Sequence, residues 1–241
     1  MAEFPWKTKS SDDEWHQRTF LFYGPSGSGK TRLASQFPGA LILSCDPGVM
    51  GGAASAIDGV KQMKISSYEQ LLSLMPILQE QAGKEFKTLV IDSVTYMGKL
   101  SLAHILKSAG REMPRFDEFN LNYQRVTRLI NNLSELNCHI VFTAIDKMDK
   151  DETTGKMWGG PDLVGKLAKE LPQAVDVVCR LFTSSGYNST GKMEVKYKFK
   201  SVADDTWNAK ERAEPGKNIL PPEGETNFEA FKPFFKSNEL A

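Results

Sequence analysis

Residues 19–37 read TFLFYGPSGSGKTRLASQF, and this stretch decides the fold. Gly24, Gly29, Lys30 and Thr31 complete a G-x-x-x-x-G-K-[ST] pattern, with Pro25, Ser26, Gly27 and Ser28 between its glycines and Arg32 just after it. Phe20 to Tyr23 is a short apolar run of the kind a buried parallel strand carries, and Leu33, Ala34 and Phe37 share one face of a helix that follows. Strand, loop and helix is the setting the pattern needs. Gly27 and Gly29 admit backbone angles that a side chain disfavours, so loop N–H groups can turn inward around a phosphate. A helix beginning near Lys30 adds its positive dipole end. Lys30 is then placed to reach the β and γ phosphates of ATP, and the Thr31 hydroxyl to hold Mg²⁺.

The rest of the chain is consistent with such a site and narrows its setting. At 241 residues it can bury a full core as one α/β domain. Lys plus Arg and Asp plus Glu are both 30, so any nucleic-acid contact must come from local patches or from an assembly, not from a global field. Cys45, Cys138 and Cys179 form no CxxC pair, which suits buried thiols in a reducing cytoplasm. No apolar run approaches the length of a membrane span, and residues 1–9 lack the apolar centre of a signal peptide, so a cytoplasmic protein is expected.

Outward from the loop, Ala40 to Leu43 predicts a second strand, with Asp46 just past its carboxyl end, where ligands gather in open parallel sheets. Val60 to Ile65 predicts a short strand. Tyr68 to Gln81 predicts a helix that Pro76 should kink or break. Lys87 to Ser93, KTLVIDS, is an apolar strand ending in Asp92, a carboxylate able to share Mg²⁺ with Thr31. A helix is expected over 94–109.

Two later stretches mix cations with rings. Residues 110–122, GREMPRFDEFNLN, place Arg111 and Arg115 beside Phe116 and Phe119, a composition suited to a loop that tracks single-stranded DNA; an ordinary helix connection with inward phenylalanines is the alternative. Residues 147–160 predict a hairpin or loop carrying Lys156 and Trp158, either a second DNA contact or a solvated hairpin. Between them, His139 to Ile145 predicts a buried strand whose Thr143, with the following Asp146, could sense the γ phosphate. Pro161-Asp162 predicts the start of a short helix through Leu171, capped by Asp162.

From Val175 the pattern changes. Val175 to Phe182 reads as a strand, and Met193, Val195, Tyr197 and Phe199 alternate with Glu194, Lys196, Lys198 and Lys200, the period of a half-exposed antiparallel strand. The whole predicts an α/β fold: a central, mainly parallel sheet flanked by helices, with a C-terminal antiparallel extension. Its divisions are an N-terminal arm at 1–18, the core at 19–214 and an irregular tail at 215–241.

A phosphate loop, an acid-tipped strand, a carboxylate after the second strand, a final hairpin and the closing tract WNAKER (207–212), in that order, resemble the RecA-like P-loop ATPase core. More narrowly they look like the short phage-encoded RecA-like nucleotide-binding proteins, some of which are single-strand annealing recombinases. The resemblance spans residues 19–214 by order of elements. It implies ATP and Mg²⁺ as cofactors, Lys30 and Thr31 as their ligands and Asp92 as the Walker B acid. Asp46 stands where such enzymes usually carry a water-activating glutamate, one methylene longer. Lys210 and Arg212 match a K-x-R element that reaches across a subunit interface to the neighbour's γ phosphate, a role worth about 10³ to 10⁵ in rate for arginine fingers. Asp146 stands where many relatives carry a polar sensor. The activity implied is a DNA-stimulated ATPase in phage recombination or annealing, in the host cytoplasm. It would be a homo-oligomer with interfacial ATP sites on single-stranded DNA, with a single-strand DNA-binding protein as a further candidate partner. A small-molecule or nucleotide kinase shares the same loop, although no arginine-bearing lid stands out, and so does an ATP-switch loader of a replication protein.

Overall fold

The computed structural model describes residues 17–47, 59–150, 152, 155–187, 191–213 and 217–235; the expected arm falls almost wholly outside them. Strand β1 (Thr19–Tyr23) sits in the middle of the main sheet, its Phe20 and Phe22 facing one side and Leu21 and Tyr23 the other. Burial on both sides is why its sequence does not alternate. The same holds for β2 (Ala40–Ser44), β4 (Thr88–Asp92) and β5 (His139–Ala144). Beyond β2 lies β3 (Lys61–Lys64), a largely exposed edge strand with a lysine at each end, a composition that discourages further pairing.

The strand order is β11-β9-β8-β1-β5-β4-β2-β3, where β8 is Val177–Tyr187, β9 is Met193–Lys200 and β11 is Glu223–Glu225; β10 (Lys210–Glu211) pairs with β8. From β8 to β3 neighbouring strands are parallel, and β9, β10 and β11 are antiparallel to their partners. The expected mainly parallel sheet with a late antiparallel extension is therefore what forms. The order puts β5 between the strand that feeds the phosphate loop and the strand that ends in Asp92, so the tip of β5 reaches between them.

One face of the sheet is covered by α2 (Tyr68–Gln81), α3 (Val94–Ser108), α4 (Phe116–Ser134) and α5 (Leu167–Ala174). Among the described residues, the one α-helix on the other face is α1 (Lys30–Ala34), five residues long and too short to cover it. The tail completes that side. Described residues 217–235 are not irregular: β11 joins the sheet edge, and the 3-10 helix Phe228–Phe234 drives Phe231 and Phe234 against Phe20, Phe22 and Phe37. Phe22 and Phe231 meet edge to face at 5.3 Å, a favoured aromatic geometry.

Three local expectations are corrected. Helix α2 runs through Pro76 without breaking, because that proline lies on the exposed side, where water can take the carbonyl its missing N–H would have paired. The connection expected over 110–122 ends at Arg115, since Glu118 accepts a hydrogen bond from the Arg115 N–H at 2.7 Å and nucleates α4 from Phe116. Pro161-Asp162 begins no helix: Pro161 closes the hairpin formed by β6 (Asp146–Lys150) and β7 (Met157–Pro161). The Asp162 N–H donates to the Ile145 carbonyl, Thr95 Oγ1 donates to the Asp162 carbonyl, and α5 starts at Leu167.

Candidate functional site

At the carboxyl end of β1 the chain turns through Gly27 and Gly29 at φ 79° and 91°, left-handed values that glycine adopts without strain. Because α1 is a single short turn, the inward N–H groups of the loop matter more here than a helix dipole. Lys30 Nζ donates to the carbonyls of Gly24 and Pro25, both at 2.8 Å, which folds the loop over its own lysine. Burial pulls the Lys30 pKa below the usual lysine value, and the charges of Asp92, Asp146 and Asp46 pull it back up.

Thr31 and Asp92 meet. Thr31 Oγ1 donates to Asp92 Oδ2 at 2.7 Å, and Thr143 Oγ1 donates to the other carboxylate oxygen at 2.5 Å. The tip of β5 thus supplies a hydroxyl that fixes the acid, a position that follows directly from its place in the sheet. Hydroxyl and carboxylate oxygens are the ligand types Mg²⁺ prefers. The Ser28 hydroxyl is buried without a hydrogen-bond partner among the described residues, a donor left for a loop ligand. Left-handed glycines, an unpaired hydroxyl, a lysine and a hydroxyl–carboxylate pair together fit a Mg²⁺-bound polyphosphate: Lys30 and the loop would hold phosphate, and Thr31 and Asp92 the metal.

These groups open onto a cleft of about 380 Å³, whose walls also include Ser26, Arg32, Asp46, Ser93, Tyr96, Ile145 and Tyr197. Asp46 therefore shares the cleft with the phosphate loop and Asp92, as its place after β2 led us to expect. Tyr96 and Tyr197 escaped sequence analysis. Tyr96 lies in the first turn of α3, and Tyr197 comes from β9, where the antiparallel extension folds back beside Gly29. The only sequence signal for Tyr197 was a ring on the apolar side of an alternating strand, the side it shares with Phe199.

Asp146 is also at this end of the sheet. Its N–H donates to the Gly24 carbonyl at 3.3 Å, and its carboxylate pairs with Arg180 at 3.3 Å. Arg180 lies in turn 3.6 Å over the ring of Trp207. Arg180 was marked by no sequence pattern, and Trp207 only as the first residue of the WNAKER tract.

Lys210 and Arg212 stand elsewhere. Lys210 is opposite Val178, near the start of β8, and Arg212 N–H donates to the Asp176 carbonyl before that strand begins. Both side chains donate to the Gln173 carbonyl and Arg212 also to that of Ala174, so they hold the carboxyl end of α5, where a helix favours cations. The phosphate loop is at the opposite end of the parallel strands, and the two groups do not meet within one chain.

Of the candidate DNA contacts, Arg111 is engaged with Glu118 at 2.5 Å. Arg115 is exposed at the start of α4, and Phe116 and Phe119 are 77% and 47% exposed rather than packed inward. Lys156 and Trp158 lie on the β6–β7 hairpin, Lys156 exposed and Trp158 half-buried over Gly160. The structure does not gather the two groups into one patch with the cleft.

Compared with known proteins, residues 16–213 match the family model described as an AAA domain (AAA_24). A search of curated proteins finds no match. Among solved structures, a prototypical ATPase from the type III secretion system of pathogenic bacteria is similar at 12% identity and TM-score 0.46, covering 68% of this chain and 52% of that one. The RadB recombinase is similar at 13% identity and TM-score 0.44, covering 75% of this chain and 86% of that one. The chain thus spans about half the length of the secretion-system ATPase.

Proposed function

This chain belongs to the AAA domain family of P-loop NTPases, and from that premise we propose that it binds and hydrolyses ATP to act on single-stranded DNA in recombination or annealing. The observation that carries the ATPase reading is the Thr31–Asp92 hydrogen bond beside a glycine-turned loop and Lys30. Mg²⁺ bound there would neutralise phosphate charge and polarise the γ phosphorus. Lys30 would give up the Gly24 and Pro25 carbonyls and turn its ammonium to the phosphates. Thr143 would keep Asp92 in one orientation. Asp46, across the cleft, would orient the attacking water and accept its proton.

The DNA role is supported by exposed rings next to cations, Phe116 and Phe119 beside Arg115, since bases stack on such rings while arginines take phosphates. It is supported also by the β6–β7 hairpin, which starts at Asp146 against the phosphate loop and carries an exposed Lys156 and a half-buried Trp158. Sites shared between subunits fit the placement of Lys210 and Arg212, which are distant from their own loop. The test is phosphate release with and without single-stranded DNA, run beside a panel of nucleoside acceptors. Release that needs Lys30 and accelerates with DNA is expected. Phosphorylated acceptor with no DNA response would make the protein a kinase instead.

A further inference from the structure

Gly29, Arg32 and Tyr197 line the cleft at the phosphate loop and also line a second hollow of about 360 Å³, whose walls include Val195, Thr226 and Asn227. The two hollows meet across these three residues. A Cβ on Gly29 would lie 3.4 Å from the Tyr197 ring and 3.8 Å from the Thr226 methyl, so β9 and the tail both come up against the loop here. They are also tied to each other and to the chain after α1. The Thr226 N–H donates to the Tyr197 carbonyl at 2.9 Å and the Phe228 N–H to Gln36 Oε1 at 3.4 Å, while Gln36 Nε2 donates to the Arg32 carbonyl at 2.9 Å. Several side chains lining the second hollow are uncommitted. Tyr197 is 43% exposed, and among the described residues neither the exposed Arg32 nor the exposed Glu225 pairs with an opposite charge. Arg32 borders both hollows and Glu225 only the second, which gives the pair of hollows a polarity. The Thr226 hydroxyl oxygen is buried with no hydrogen-bond partner among the described residues. A turn about χ1 exchanges it with the methyl that faces Gly29, and no hydrogen bond is broken in doing so.

We propose that the C-terminal tail reads the nucleoside of the bound nucleotide and is fastened to the phosphate loop by it. This rests on the ATP reading above and extends it: the phosphates stay on the loop, the base leaves past Gly29 onto the ring of Tyr197, and its polar edge meets Thr226, Asn227 and Glu225. Arg32, at the junction of the two hollows, takes an oxygen of the phosphate nearest the sugar. The chemistry suits a base rather than a second anion. A flat ring stacks on a tyrosine, and a carboxylate accepts from an exocyclic amino group but repels phosphate. A base seated there touches strand and tail at once. It therefore holds residues 226–228 to β9 and Gln36, and through them ties the phenylalanine cluster of the 3-10 helix to the nucleotide. A triphosphate without a nucleoside fills the loop and leaves the tail as it was.

Calorimetry and hydrogen exchange on the full-length protein test this, with Mg²⁺ and either a non-hydrolysable ATP analogue or inorganic tripolyphosphate. Tyr197→Ala should weaken the analogue about tenfold, within the range for losing one base–ring stack, and leave tripolyphosphate binding essentially unchanged. Tyr197→Phe, which keeps the ring, should bind the analogue as the unaltered protein does. At about ten times its Kd the analogue should slow exchange of the Thr226 and Phe228 amides about tenfold, and tripolyphosphate at the same multiple of its own Kd should not. If Tyr197→Ala weakens both ligands alike, or the tail amides ignore the analogue, the proposal is overturned while the phosphate site stands. If neither ligand binds the unaltered protein, the ATP reading falls and takes the proposal with it.

Discussion

Asp146 and Arg180 face each other at 3.3 Å where β6 begins beside the phosphate loop, each less than a fifth exposed, and the Arg180 guanidinium rests 3.6 Å over Trp207. Trp207 is held to the hairpin by the Gly159 N–H donating to Thr206 and the Asn208 N–H donating to Gly159. One arginine thus joins the carboxylate beside the loop to the hairpin that carries Lys156 and Trp158. Arg180→Ala leaves the Asp146 carboxylate half-buried and unpaired and removes the stack on Trp207. We expect a loss of about 1–3 kcal/mol in urea unfolding. Arg180→Lys should recover only part of it, because an ammonium restores the charge but not the planar contact. A fully stable alanine variant would show that the pair is not structural.

The shifted pKa of Lys30 gives a pH dependence of known sign. Burial lowers its pKa in the folded chain below 10.5, so between that lowered value and 10.5 the unfolded state binds more protons than the folded one. Lys30 alone therefore makes the protein more stable as pH rises through that window. Nucleotide affinity should move the other way, falling as the ammonium loses its charge, with a midpoint below 10.5 that Lys30→Arg removes. Titrating binding of a non-hydrolysable ATP analogue from pH 7 to 10.5 in both proteins measures it. An identical alkaline fall in the arginine variant would assign the dependence to another group.

The central parallel strands β1, β2, β4 and β5 were legible because each is buried on both faces, which forces unbroken apolar runs such as Leu89-Val90-Ile91 before Asp92. The loop and Asp92 were legible for the same reason: their chemistry is local and sits at strand ends. What was not legible depends on neighbours. Thr143 fixes Asp92 only because β5 is inserted between β1 and β4, an order that no single segment encodes. The start of α4 was hidden because its cap residue is Arg115, not a Ser, Thr, Asp or Asn, although Glu118 three residues on completes half of a capping box. Asp162 had the look of a cap, but its N–H is already committed to Ile145. The tail escaped because phenylalanines at 228, 231, 234 and 235 in a proline-bearing stretch show no long helical period, and their partners Phe20 and Phe22 are some 200 residues away.

That distant packing can be measured. Phe231 is fully buried against Phe20, Phe22 and Phe199, on the face that α1 is too short to cover. Phe231→Ala should cost about 3–5 kcal/mol, the range for emptying an aromatic site in a core. Phe231→Leu, which retains much of the volume, should cost less. Denaturant unfolding of both variants checks this. Losses within error for the alanine variant would mean that the tail is an accessory to the fold rather than part of its core.

Arg212 is the residue for which a structural and a catalytic role predict different numbers. Its side chain is 58% exposed, donates to the Gln173 and Ala174 carbonyls and lies 3.7 Å from Asp176, so as a helix-end contact Arg212→Ala should cost no more than about 1 kcal/mol. If it serves a neighbour's γ phosphate, the same change should slow hydrolysis about 10³-fold or more in the assembled protein while nucleotide binding stays intact. Mixing decides between them. Arg212→Ala chains keep a sound phosphate loop and Lys30→Ala chains keep a sound Arg212, so a mixed assembly contains interfaces with both parts present. Recovery of turnover on mixing two inactive variants requires the arginine to act across subunits. A slow Arg212→Ala protein that mixing does not rescue would confine the residue to the end of α5.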